Sequence, residues 1–540
     1  MIDERYIEFF PARRILCTER VEHAEILLQA GSGQATTRSR PECIFAPGGS
    51  LLLDFGIELH GGLRIVSGSF TGSNPRLKVT FGESVSETFS EPDYGHALQQ
   101  GMIELPRIGT TTFGELGFRF ARIENLEKER SVGLQEVMAA FQHRRLQRLA
   151  EFECSDPLLN QIWETSVYTL ELCLQNFAWD GIKRDRLIWM GDLYPELLVA
   201  GYVFGRLPVI ENSLDFLRRE TPLPEMMNGS WTYSIWWILG QHAWHRMHGN
   251  RKYLEEQREY LTGLLKFFIS RIQSDGRAEI CNGWALLDWA TGTDSEAAPA
   301  ILAGNHALLL IALRRGAELC RILEENDTAK SCEAAARQMA AFLPPLTAST
   351  AANAFQVFAE LRDAQEVYDQ CYADKLPEGL STFLGCFVLD ACILAGQCQQ
   401  ALDCLRQYWG GMLELGATTF WEHFDISWMQ NAARIDELPA PGKRDVHREC
   451  GEGCFRSFRH SLCHGWAALP AVWLQRHILG ISLLDADRIS IAPQLCDLSW
   501  ARGTVYTPHG PVKIEARPGH LDYSTPPEIQ IVQQDTGWPY

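Results

Sequence analysis

The period of the apolar residues changes twice along this chain, and those two changes restrict the fold to β, then α, then β. Residues 1 to about 150 read as strands. SLLLDFGIELHGGLRIVSGSF (50–70), PRLKVTFGESVSE (75–87) and LGFRFARIENL (116–126) combine alternation with Gly and Asn punctuation. In GFRFARI, Phe118, Phe120 and Ile123 stand against Arg119 and Arg122, the pattern of an antiparallel strand with one face buried. A β-sandwich is the economical architecture for such a run. At CSDPLLNQIW the period becomes 3.6, with Asp156 predicted as N-cap and Pro157 at the first helical position.

Helical segments then dominate to about residue 478: 208–219, 233–247, 251–273, 300–325, 327–343, 351–371, 378–395, 397–413 and 461–478. Helices of ordinary length with short connections would number roughly twelve here. No short repeat shows, so a closed toroid of helix hairpins is expected rather than an open solenoid. After ILGISLLDADRISIAP the strands return, with TPHGP reading as a hairpin turn inside SWARGTVYTPHGPVKIEAR. The expected domains are 1–150, 151–479 and 480–540, since 540 residues exceed what one core usually serves.

A formal charge of −19 argues against nucleic acid and anionic membranes as partners, because both need a basic face. It suits a neutral small-molecule substrate and a soluble, cytoplasmic protein. MIDERYIEFF has no basic stretch followed by an apolar one, and no apolar run approaches the ~20 residues of a membrane span. The sixteen cysteines are scattered, mostly in apolar helical contexts, and are expected as reduced core residues. Neither a P-loop nor GxGxxG nor GxSxG is present, so no cofactor is expected. VHRECGEGC offers His447, Cys450 and Cys454 at a spacing that matches no standard zinc pattern, so no metal is expected either. Monomer and homodimer both stay open.

Four stretches concentrate groups able to do chemistry. WDGIKRDRLIWMGD, Trp179 to Asp192, holds Asp180, Asp185 and Asp192 with Lys183, Arg184 and Arg186, and the tryptophans 179 and 189. Asp185 and Asp192 would share a face if the segment were helical. Crowded carboxylates push their pKa values apart, which lets one stay protonated at neutral pH. A solvated, ion-paired helix entry would have the same composition. In GATTFWEHFD (416–425), Glu422 lies between Trp421 and His423, the composition of a sugar subsite and equally that of an ordinary helix start. Trp231, Trp284, Asp288 and Trp289 fall at segment ends or in turn-like contexts, where a pocket wall is the expected use. SLCHGWAALP (461–470) offers His464 as a donor to a sugar hydroxyl or as a packed cap.

In this order and spacing, the acidic motif, GATTFWEHFD, SLCHGWAALP and the flanking strand stretches DFGIELHGGLRI, LKVTFGES and DLSWARGTVYTPHGPVKIE resemble the α-L-rhamnosidases of glycoside hydrolase family 78. The resemblance implies a central (α/α)6 barrel flanked by an N-terminal β-sandwich and a small C-terminal β-sandwich. It implies hydrolysis of a terminal α-L-rhamnosyl linkage with inversion. Asp185 takes the position of the general acid, usually Glu in the family, and Glu422 that of the base that activates water. Asp180 and Asp192 match further acidic positions that bind sugar hydroxyls and tune the acid. Trp189, Trp284, Asp288 and His464 match pocket-lining positions, and Arg184, Trp231, Trp289 and Trp421 stay as candidates beside them. Asp185 is one methylene shorter than the usual Glu. A glycosidase for another sugar on the same fold, or a silent carbohydrate-binding relative, are the alternatives.

Overall fold

Strands β1 (Tyr6–Pro11), β2 (Arg14–Glu22), β3 (Cys43–Ser67), β4 (Arg76–Gly82), β5 (Gln100–Glu104), β6 (Thr110–Asn125) and β7 (Val132–His143) make one hydrogen-bonded sheet. Their order is β1-β7-β3-β6-β4-β5, with β2 added on β3. The structure, a computed structural model, describes residues 3–533 except 39, 69, 71, 92–99, 281–282, 452–453 and 455–456. Positions 452 and 453 of VHRECGEGC, Asn282 and both chain ends therefore lie outside the described residues.

The long strand β3 pairs with β2 as far as Asp54, and with β7 at Cys43, Ile44 and Phe45 and again from Gly61 onward. The change falls at an irregularity between Asp54 and Leu59, where Gly56 takes φ 86°, a conformation that favours glycine. Leu51, Leu53, Phe81, Phe118 and Leu134 share the apolar core of this region. One expectation for β6 fails. Arg119 was read onto a solvated face, yet it is buried, with Nε and Nη2 donating to Asp54 (2.9 and 3.0 Å) and Nη1 to the Gly416 carbonyl (3.0 Å). At Arg119 this strand faces the helical region, not water.

Glu151–Cys154, assigned with the helices by the sequence, is a strand, β8, whose alternating Phe152 and Cys154 point inward. Asp156 then caps α1 (Pro157–Cys173): its Oδ1 accepts from the Leu158 N–H at 2.9 Å, with Pro157 opening the helix. There follow α2 (Met190–Val203), α3 (Pro208–Glu220), α4 (Trp231–His248), α5 (Arg251–Ile269), α6 (Ala298–Ile322), α7 (Asn326–Met339) and α8 (Thr350–Phe358). The remainder are α9 (Ala364–Val367), α10 (Gly385–Leu394), α11 (Cys398–Glu414), α12 (Val446–Glu449) and α13 (Pro470–His477). The predicted helices 351–371 and 461–478 are interrupted: the first breaks over 359–363, and the second is non-helical over 461–464 and a 3-10 turn over Gly465–Ala468 before α13 begins at Pro470.

Two kinds of helix alternate along the chain. Every residue of α2 is buried, and α4, α6, α8 and α10 are buried over most of their surface. In contrast α3, α5, α7 and α11 each bury one stripe and leave the other polar. The enclosed set packs in succession, α2 on α4, α4 on α6, α6 on α8, α8 on α10 and α10 on α13, and α13 returns to α2. One apolar core joins them, with Trp236, Phe387, Trp409 and Trp473 among its members.

Beyond α13, β9 (Ile481–Leu483), β10 (Arg488–Ile491) and β14 (Gln530–Ile531) form a three-stranded sheet, while β11 (Ala501–Thr507), β12 (Gly510–Arg517) and β13 (His520–Ser524) join β8 in a four-stranded one. The predicted TPHGP hairpin links β11 and β12. Most of the described cysteines are buried; Cys17 and Cys496 are exposed. Among the described residues no helix is long and apolar enough to cross a membrane.

Candidate active site

The segment 179–189 is not helical, so Asp185 and Asp192 do not share a helix face; α2 begins only at Met190, with Trp189 as its N-cap residue. The loop is held from both ends. Asp180 N–H donates to the Leu187 carbonyl (3.0 Å), Leu187 N–H to Asp180 Oδ1 (2.9 Å), and Gly117 N–H of β6 to the Ile182 carbonyl (2.8 Å). At its tip Asp185 and Arg186 both take left-handed backbone, φ 53° and 52°. Two adjacent non-glycine residues there are strained, and such strain persists only where surrounding contacts over-determine it.

The loop opens onto a pocket of about 110 Å³ lined by Asp180, Arg184, Asp185, Trp189, Asp192, Tyr233, Trp284, Leu286, Trp289, Glu422, His464 and Trp466. Its size fits one small polar ring rather than an extended ligand. A larger groove of about 980 Å³ runs along β8 and β11, but Glu153 and Glu164 on it are tied to Arg502 and Arg148 at its surface. Of these two, the smaller pocket is the one that joins enclosed acids to aromatic walls. Trp189 and Tyr233 meet edge to face at 6.0 Å between ring centres, and Tyr233 and Trp284 lie 5.6 Å apart.

Arg184 joins two of the acids. Its Nη1 donates to Asp185 Oδ2 (2.8 Å) and its Nη2 to Glu422 Oε2, so one guanidinium stands between the two carboxylates. The backbone of Glu422 is fixed by its N–H on the Ser461 carbonyl (3.0 Å) and by Thr382 Oγ1 (2.7 Å) and Trp466 Nε1 (2.9 Å) donating to its carbonyl. Asp192, in the first turn of α2, pairs through Oδ1 with His464 Nε2 at 2.8 Å.

The acids differ in ionisation. Burial works to raise the Glu422 pKa, but Arg184, His464 and His460 overcome it and bring the group down to about 2. Asp180 goes the other way: burial, reinforced by Asp192, outweighs His464 and Arg184 and pushes it up to about 8. Burial also raises Asp192 against its bond to His464. Burial opposes protonation of His464, yet Glu422 and Asp192 raise its pKa. An ionised carboxylate and a protonated carboxyl thus face one cavity, the division of labour that acid/base chemistry needs.

Of the residues singled out in the sequence, Asp180, Arg184, Asp185, Trp189, Asp192, Trp284, Trp289, Glu422 and His464 line this pocket, and Trp231, Asp288 and Trp421 do not. Trp231 packs on Phe268 (4.7 Å between ring centres) and lines a separate cavity. Two residues further along α4, about 200° round the helix, Tyr233 is the one that reaches the pocket. Asp288 instead fixes the turn that carries Trp289, accepting from Thr291 N–H (2.7 Å) and Ser381 Oγ (2.9 Å). Trp421 points away from Glu422 into the core against Phe424. Tyr233, Leu286 and Trp466 were missed. Trp466 stands two residues past His464, where its motif position was a usable signal; nothing set Leu286 apart from core leucines.

The helical region thus holds a pocket where buried acids meet tryptophans. Residues 147–366 match the family described as bacterial alpha-L-rhamnosidase 6 hairpin glycosidase domain. The chain is similar to the GH78 family rhamnosidase of Bacillus sp. GL1, with 21% identity and a TM-score of 0.73 over 95% of this chain and 57% of that one. It is similar to the rhamnosidase from Klebsiella oxytoca solved with rhamnose bound, with 23% identity, a TM-score of 0.69, and 88% and 96% of the two chains covered. The Streptomyces avermitilis alpha-L-rhamnosidase complexed with L-rhamnose gives 19% identity, a TM-score of 0.69, and 98% and 50% coverage. The chain thus spans little more than half of the Bacillus enzyme's length. No curated protein sequence matches it. The resemblance to the family 78 α-L-rhamnosidases read from the motifs therefore extends to the fold.

Proposed function

We propose that this protein hydrolyses terminal α-L-rhamnosyl linkages of small rhamnosides with inversion, by general acid/base catalysis, and without a cofactor. The observation that carries the proposal is Arg184 standing between Asp185 and Glu422 at the floor of an aromatic-walled pocket. Inversion requires an acid and a base on opposite faces of the sugar, ~6.5–9.5 Å apart, with room for water. Arg184 pairs each carboxylate with its guanidinium rather than with the other carboxylate, an arrangement compatible with an acid and a base set apart. In this reading the Glu422 carboxylate takes the proton of the attacking water, Asp185 protonates the leaving oxygen, and Asp180, Asp192 and His464 bind sugar hydroxyls. The succession of enclosed helices is read as an (α/α)6 barrel over 151–479, between β-domains at 1–150 and 480–540. A charge of −19 and mostly buried thiols support a cytoplasmic site of action on rhamnosides already inside the cell.

A second reading gives the proton donor's role to Asp180. It is favoured by one observation: Asp180 is the acid pushed up to about 8, whereas two arginines hold Asp185. Leaving-group dependence separates the two. With phenyl α-L-rhamnoside, loss of the true donor should lower kcat/KM by roughly 10²–10⁴. A dinitrophenyl leaving group needs no proton and should suffer far less. Asp185→Asn is expected to show this pattern; finding it in Asp180→Asn instead would transfer the role. Glu422→Gln should slow both substrates alike. Proton NMR of the first-formed sugar should show the inverted anomer, and sugar binding without turnover of any aryl glycoside would mark a silent relative.

A further inference from the structure

Glu83, Glu87 and His447 are buried together, with ligand atoms within 4.8 Å of one another, which is the donor set of a small cation site. The cation is already part of the chain. Lys183 Nζ lies 2.7 Å from Glu87 Oε1, 3.3 Å from Glu83 Oε2 and 3.3 Å from His447 Nε2, and also donates to the Phe458 and His460 carbonyls. Glu83 and Glu87 come from the end of β4 and the turn after it, whereas Lys183 immediately precedes Arg184 and Asp185 in the pocket loop.

The same cluster grips a second segment. Glu83 Oε2 accepts from the Leu462 N–H (2.7 Å), and the preceding amide, Ser461 N–H, donates to Glu422 Oε2 (3.2 Å). Arg184 Nε donates to the Arg459 carbonyl (2.6 Å). So the chain between Phe458 and Leu462 is tied alternately to the Lys183–Glu83 cluster and to the pocket's own charged groups.

We propose that Lys183, clamped by Glu83 and Glu87, is a positioning residue that sets where Arg184, Asp185 and Glu422 stand in the pocket. The inference rests on the reading of Asp185 and Glu422 as the reacting pair. It gives the N-terminal sheet region a part in catalysis although none of its described residues lines the pocket. The clamp acts on geometry: a flexible or shifted 458–462 segment loosens Glu422 and Arg184 together, and small misplacements of reacting groups cost rate steeply.

The test uses the full chain with Lys183→Met and Glu87→Gln. Burial pushes Glu83 up to about 7 and also raises Glu87, so both can neutralise once the ammonium is gone, and Lys183→Met is expected to fold. If it does not, Glu87→Gln, an isosteric change, carries the test. Either variant should lose about tenfold or more in kcat on an aryl α-L-rhamnoside with KM little changed, the split expected when the transition state alone is affected. Hydrogen exchange at residues 458–462 should quicken while α4 and α6 keep their protection. A folded variant with wild-type kcat and wild-type exchange there overturns the proposal. A wild type that cleaves no rhamnoside defeats the proposed reaction instead, and the exchange at 458–462 then decides the positioning claim alone.

Discussion

Replacing Asp180 with Asn should flatten the fall of stability as the pH rises from 3.8 to about 8. The Asp180 carboxyl sits near 8 in the folded protein against 3.8 for the free side chain, so over that interval the folded state keeps a proton that the unfolded chain has lost. A group with a raised folded pKa contributes stability that is full below the unfolded value and is lost as pH rises through the folded one. Melting temperatures at pH 5 and pH 9 should therefore differ less in Asp180→Asn than in wild type. Glu58, Glu83 and Glu196, whose pKa values burial also raises, keep part of the slope in both proteins. Equal pH slopes in wild type and variant would sink the assignment. Glu422 has the opposite sign: held at about 2, it contributes above 4.5 and loses that contribution only in strong acid. Charge and crowding in WDGIKRDRLIWMGD foretold divided ionisation states. Which acid goes which way was not legible, because it depends on Arg184 turning toward Glu422, a residue far along the chain.

At the level of elements, the pocket depends on extended segments more than on the helices that surround it. Glu422 has no helix of its own; Thr382 Oγ1 and Trp466 Nε1 hold its carbonyl. Thr382→Val removes one donor while keeping the shape of the side chain. A buried carbonyl that keeps its other donor loses about 1 kcal/mol. We expect a few-fold drop in kcat with a small decrease in Tm, and a larger drop when Trp466→Phe is combined with it. Steady-state kinetics and calorimetry on the two single variants and the pair check this; additive, rate-neutral losses of stability would contradict it. Periodicity read the helices well, since a 3.6-residue stripe survives in sequence whatever the neighbours are. It failed at 461–468, where side-chain and backbone bonds to distant segments override local preference. Trp231 illustrates the same limit. Composition placed an aromatic at the start of α4, but only the direction of the helix decides that Tyr233 faces the pocket.

For the whole molecule, the N-terminal sheet and the helical region are joined by a buried charge network. Arg119 on β6 is 6% exposed, bonds Asp54 through two nitrogens, donates to the Gly416 carbonyl and lies 3.5 Å from Asp436. Arg14 reaches Asp54 and Asp436 from the solvent side. Removing one partner of a buried pair is costly because the other is left charged out of water, by about 3–5 kcal/mol when nothing compensates. Arg14 still reaches Asp54 after Arg119→Ala, so a smaller loss, about 2–3 kcal/mol, is expected. Adding Asp54→Ala should cost less than the two single losses summed, since the stranded carboxylate goes with it. Chemical denaturation of the four proteins in this cycle measures the coupling. Because the network spans both regions, Arg119→Ala should also shift their unfolding together. Separate transitions for the sheet and the helices, with only the sheet moved, would show that Arg119 supports β6 alone and that the interface is held by the Lys183 clamp and the backbone bond from Gly117 to Ile182.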